Sequence, residues 1–192
     1  MLPIRDHLKP RRFPVVSVAL IGANVVVFVW EVLLVTAGTS VFDLEQAWGL
    51  VPARFVGDPI GQLVTPFSSL FLHDPTRLWH IGGNMLALWI FGDDVEDALG
   101  RWRFLALYFA AGLAGCAAHV AVDPGAIGAE MGASGAVAGV LAAFVSLYPE
   151  APITMLHFFV PAWFWKALLD LPAWVVVLEF FVFNLWESQR AN

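Results

Sequence analysis

The chain has 192 residues, of which 59% are hydrophobic and 14% charged, with a mean hydropathy of +0.75, and a soluble fold has no way to hide so much apolar surface. A net charge of -6 with only 10 Lys and Arg in all excludes a nucleic-acid partner, whose phosphates need clustered basic side chains. Cys116 is the one cysteine of the chain, which excludes an internal disulfide and a cysteine-built metal site.

Residues 1–13 carry Arg5, Lys9, Arg11 and Arg12 and read as a cytoplasmic N-terminus. The apolar run 14–38 is too long for the core of a signal peptide. Asn24 and Glu31 interrupt it, and no small-residue cleavage site follows, so it reads as a retained first membrane helix. Residues 39–77 read as an outer loop. Further apolar stretches over 78–97, 101–122, 131–148 and 171–187 are expected to form four more membrane helices. Residues 151–169, rich in Phe and Trp and broken by Pro161, read as an interfacial segment rather than a span. The expectation is an all-α fold, a polytopic transmembrane helix bundle of about five spans forming a single domain over 1–192. With the N-terminus inside, Arg5, Lys9, Arg11, Arg12, Arg101, Arg103 and Lys166 fall on the cytoplasmic side and only Arg54, Arg77 and Arg190 outside, the bias that sets membrane orientation.

Ionisable and polar side chains inside spans are costly and are candidates for function. His80 and Asn84, four apart on the second span, share one helix face near its outer end. Ser134 opens the fourth span in the same leaflet, within Gly132-Ala133-Ser134-Gly135. At a helix start, unpaired backbone N–H groups and the positive end of the helix dipole favour developing negative charge. His80 and Asn84 could add side-chain donors to such an oxyanion site. Taken alone, the glycines read equally as a packing face, Gly135-x-x-x-Gly139, and His80 as a structural histidine.

The stretches Phe71-Leu72-His73, His80-x-x-x-Asn84-Met85, Trp89-Ile90-Phe91-Gly92, Val95-Glu96, Gly100, Gly132-Ala133-Ser134-Gly135-Ala136 and Leu171-Pro172-Ala173-Trp174 resemble, in order and spacing, the bacterial rhomboid family of intramembrane serine proteases. That resemblance implies a serine endopeptidase cutting transmembrane protein substrates in the lipid bilayer of a bacterial inner membrane, with the site facing outward and no cofactor. It implies Ser134 as nucleophile in a turn formed with Gly132 and Ala133, His80 and Asn84 as oxyanion stabilisers, and Glu96 as a structural residue tying loops together.

In the rhomboid family the general base comes from a sixth helix, whereas this sequence stops at Asn192 without one. The expectation is a truncated chain, inactive alone, whose small-residue face at Gly135, Gly139 and Ala143 is left unfilled. His157, beyond the fourth span, is out of reach of Ser134. His119, near the outer end of the third span, remains as a weak candidate base, against a plainer reading as a polar residue at a helix end. His73 reads as a capping or loop-tethering residue. Asp93, Asp94 and Asp97 read as a solvated acidic turn beside Glu96, with no metal expected. Glu179 lies among Val and Phe without an assigned role. The competing reading is a non-catalytic rhomboid-like pseudoprotease that binds membrane helices.

Overall fold

The computed structural model describes residues 2–156 and 168–188, with backbone alone over 183–188. Pro161, His157, Lys166 and Arg190 lie outside the described residues.

The chain runs through strand β1 (Leu2–Asp6), helices α1 (Val15–Thr36), α2 (Val41–Trp48), α3 (Pro52–Gly57), α4 (Thr65–Ser68), α5 (Leu78–Leu99), α6 (Arg101–Val122) and α7 (Ser134–Leu147), strands β2 (Pro152–Leu156) and β3 (Leu168–Pro172), and helix α8 (Ala173–Ser188). The protein is a transmembrane helix bundle, and α1 and α6 are each long and apolar enough to cross a membrane by themselves. Both leave most of their apolar surface uncovered by protein, as lipid-facing helices do and core helices of soluble proteins do not. Trp79 at the start of α5 and Trp102 at the start of α6 are 87% and 83% exposed at opposite ends of the bundle, where membrane interfaces hold tryptophan.

The core lies where α5, α6 and α7 meet, around Phe91, Phe104, Tyr108, Val137, Val140 and Phe144, none more than 1% exposed. The direct reversal from α5 into α6 turns on Gly100, whose φ of +80° an L side chain rarely adopts. Helix α7 has 14 residues, about 21 Å, against about 33 Å for the 22 residues of α5. The shorter α7 therefore cannot match α5 at both ends.

Three expectations are corrected. The small-residue face of α7 is not unfilled, because α6 occupies it. A Cβ placed on Gly135 would stand 3.6 Å from the Cα of Gly115, and one on Gly139 would collide with the Cβ of Ala111. This close approach is what such faces provide. Gly139→Val is expected to cost about 1–3 kcal/mol by overpacking, read as a lower unfolding midpoint in detergent.

Asp93, Asp94 and Asp97 are not a solvated turn either. They lie in the last turns of α5, and Asp94 and Glu96 are each 4% exposed. Glu96 accepts hydrogen bonds at Oε1 from the Val16 amide (3.0 Å) and at Oε2 from the Ser17 amide (2.8 Å) and the Ser17 hydroxyl (3.0 Å). Pro14, at the N-cap of α1, offers no side-chain cap. A carboxylate from α5 thus caps α1, satisfying orphan amides and facing the positive helix end.

Thirdly, the ends of the interfacial segment and of the N-terminus are strands. β1, β2 and β3 form an antiparallel sheet in that order, with Ile153 opposite both Asp6 and Leu171. Pro3 lies in β1, an edge strand, where a missing N–H is tolerated. The sheet sits at the Glu96 end of the bundle. At the opposite end, the loop over 39–77 folds into α2, α3 and α4, pinned to the loop before α7 by the Leu50–Glu130 bridge and the Gly132 amide on the Ser69 carbonyl (2.8 Å).

Candidate active site

Ser134 is the first residue of α7, preceded by Ala133, which is fully buried and offers no side-chain cap. The first helical bond joins the Val137 amide to the Ala133 carbonyl, so the amides before it have no preceding turn to bond. Gly132 holds φ at +122°, which aims its amide at Ser69 and lets the chain enter the helix sharply. The half-buried Ser134 hydroxyl makes no hydrogen bond among the described residues.

Helix α5 brings His80 to this turn. A Cβ on Gly132 would stand 2.8 Å from both Cε1 and Nε2 of the His80 ring, so the Cε1–Nε2 edge of the imidazole faces the glycine two residues before Ser134. Asn84, one turn along α5, is 5% exposed. Its Nδ2 donates to Nε2 of His73 at 3.1 Å, and the His73 and His80 rings meet edge-on at 5.3 Å. The structure thus gathers Ser134, Gly132, Ala133, His80 and Asn84 at one end of the bundle, where the α5 and α7 N-termini meet.

His73 ties the loop before α5 to α1 and is the hub of this end, fully buried. Its amide donates to both carboxylate oxygens of Glu31 on α1 (3.1 and 3.2 Å). Its Nδ1 donates to the Phe71 carbonyl at 3.2 Å, which leaves Nε2 as the acceptor that Asn84 needs. Burial, with His80 adding to it, pushes the His73 imidazole down to about 4, so the ring is neutral and its tautomer defined. Sequence reasoning passed over the pair. The signal was Glu31, an acidic residue inside an apolar span, for which a buried partner is the rule.

The sign of the pH effect follows. His73 binds its proton more weakly folded than unfolded, so its contribution is complete above about pH 6.5 and is lost as pH falls toward 4. The full effect is on the order of 3 kcal/mol. The His73 share is isolated by comparison with His73→Gln, which cannot titrate: the parent's unfolding midpoint is expected to drop relative to the variant's as pH falls from 6.5 to 4.

His119 makes no hydrogen bond to the Ser134 hydroxyl among the described residues. It stands 4.0 Å from Oε2 of Glu130, whose carboxyl burial holds above its usual range while His119 opposes the shift. Among the described residues, no histidine ring hydrogen-bonds the Ser134 hydroxyl.

The family model described as Rhomboid domain matches residues 60–189, more than half of the chain. The chain belongs to the rhomboid family. Among rhomboid relatives, it is 33% identical to Rhomboid protein 1, mitochondrial, of Saccharomyces cerevisiae, over 81% of this chain and 43% of that protein. It is 29% identical to the human Presenilin-associated rhomboid-like protein, mitochondrial, over 71% of this chain and 34% of that protein. It is also 42% identical to Rhomboid protease GluP of Bacillus subtilis, over 44% of this chain and 15% of that protein. The chain spans less than half the length of these curated relatives. No solved structure matches it. As a rhomboid with this helical architecture it is an integral membrane protein.

Proposed function

We propose that this rhomboid is an intramembrane serine endopeptidase, in which Ser134 attacks a substrate carbonyl presented at the start of α7. The observation that carries this reading is the His80 ring set against Gly132 beside a serine hydroxyl with no hydrogen bond among the described residues. The tetrahedral oxyanion would form between the unpaired amides at the start of α7 and the donors of His80 and Asn84. Preorganised donors of this kind are each worth about 100-fold or more in rate. Gly132 and Gly135 keep Cβ atoms away from the approach to Ser134.

The substrate would be a transmembrane helix, locally unwound to expose its carbonyl to Ser134, and the site would face the outer side with the N-terminus cytoplasmic. The basic side chains at the sheet end, including Lys9, Arg11, Arg12, Arg101 and Arg103, support that orientation.

The second reading is a pseudoprotease that binds membrane helices without cutting them. It is favoured by the lack of a histidine on the Ser134 hydroxyl among the described residues, since a serine needs a base to take its proton. A reconstituted sample with a fluorogenic transmembrane substrate separates the two. The protease reading expects cleavage that Ser134→Ala removes, and the pseudoprotease reading expects substrate association with no cleavage.

A further inference from the structure

The sheet end of the bundle carries a second cluster with no part in that chemistry. One carboxylate oxygen from each of Asp6, Asp93 and Asp94 lies within 4.8 Å of the others. We propose that these three residues bind a hard divalent cation, with Ca2+ the best fit, fastening the N-terminal strand to the end of α5. The spacing is that of oxygens bridged by one ion with bonds of about 2.4 Å, in the range Ca2+ takes.

An acidic cluster alone would say little, but Asp94 adds a separate observation. It is 4% exposed, and its Oδ2 has no hydrogen-bond partner. None of the ion pairs among the described residues involves any of the three carboxylates. A buried carboxylate with neither donor nor counter-charge is costly and calls for a cation or a proton.

The neighbours are arranged to suit an ion. Oδ1 of Asp6 accepts the Leu8 amide at 2.7 Å, and Oδ1 of Asp93 accepts the Asp94 amide at 2.9 Å. Each bond fixes a carboxylate while leaving its second oxygen for a ligand. A cavity of about 640 Å³ lined by Lys9, Arg11, Arg12, Asp94, Asp97 and Tyr148 gives access. The three basic side chains line this space without pairing with Asp94, so its charge is left for an ion to meet. Once bound, the ion would tie β1, and through it β2 and β3, to the helix whose far end carries His80 and Asn84. The proposal does not rest on the protease reading.

The test uses the full chain in detergent, stripped with a chelator. Ca2+, Mg2+ and Mn2+ are titrated separately by calorimetry, and thermal unfolding is followed in parallel. Saturable binding near one ion per chain is expected, with a higher unfolding midpoint. Asp94→Asn and Asp6→Asn should each weaken binding at least tenfold, while Asp58→Asn, in the loop at the other end, leaves it unchanged. Should Asp94→Asn fail to fold, Asp6→Asn carries the same reading. No saturable binding up to roughly 10 mM by folded protein, or undiminished binding in the foldable variants, overturns the proposal and leaves a shared proton as what holds the cluster.

Discussion

Ser134→Ala is expected to abolish covalent labelling by a fluorophosphonate and to lower cleavage of a transmembrane substrate on the order of a thousandfold or more. The same variant should unfold within about 0.5 kcal/mol of the parent, because the hydroxyl makes no hydrogen bond among the described residues and its loss leaves no buried partner unpaired. The separation of the two effects is the informative part. Near-complete loss of chemistry with stability intact places the serine in the reaction. Loss of both would make it a packing residue of the α7 start, the alternative that the small residues of Gly132-Ala133-Ser134-Gly135 allow. Labelling rate, site-mapped by mass spectrometry, and unfolding midpoint in the same detergent are the two readouts.

Glu96→Ala is expected to have the largest effect on stability, roughly 3 kcal/mol or more. One buried carboxylate accepts from two amides and a hydroxyl of α1. Truncation strands all three donors in a site that water does not reach, at about 1–3 kcal/mol for each buried group left unpaired. It also removes the negative charge facing the α1 N-terminus. Glu96→Gln keeps one good acceptor and should lose about half as much. Gly92, one turn earlier on α5, would put a Cβ 3.1 Å from the Ser17 hydroxyl, so the two helices are already close and have little freedom to repack around the loss. Unfolding free energies of the three proteins, measured under one denaturing detergent series, test the order parent, Gln, Ala.

What could be read from the sequence divides along physical lines. Hydropathy over 20-residue stretches carries the bundle, since the bilayer imposes that length, and the order and spacing of the motifs around His80, Asn84 and Ser134 carry the family. Contacts between distant segments left no such trace. The Glu96 bonds to Val16 and Ser17 join residues some 80 apart, and the β1–β2 pairing joins Leu2 to Leu156 and Asp6 to Ile153. β2 gave no alternation to find, because Ile153, Thr154 and Met155 are all buried. Asp93, Asp94 and Asp97 were misread because clustered carboxylates in a turn usually face water, whereas here the helix continues to Leu99 and draws Asp94 inward. At the site, His73 was undervalued because its role depends on Glu31, a partner 42 residues away in another helix. The α7 glycines were assigned to an absent neighbour because sequence cannot say which helix comes close, and α6 does.

The central claim is that the starts of α5 and α7 build a nucleophile and its oxyanion donors. It is tested most directly by the rate at which a fluorophosphonate or isocoumarin forms an adduct on Ser134 in the parent protein and in His80→Ala. The expected result is an adduct at Ser134 in the parent, slowed roughly 100-fold when His80 is removed. No adduct at Ser134 on folded protein, or an adduct whose rate ignores His80, would contradict it.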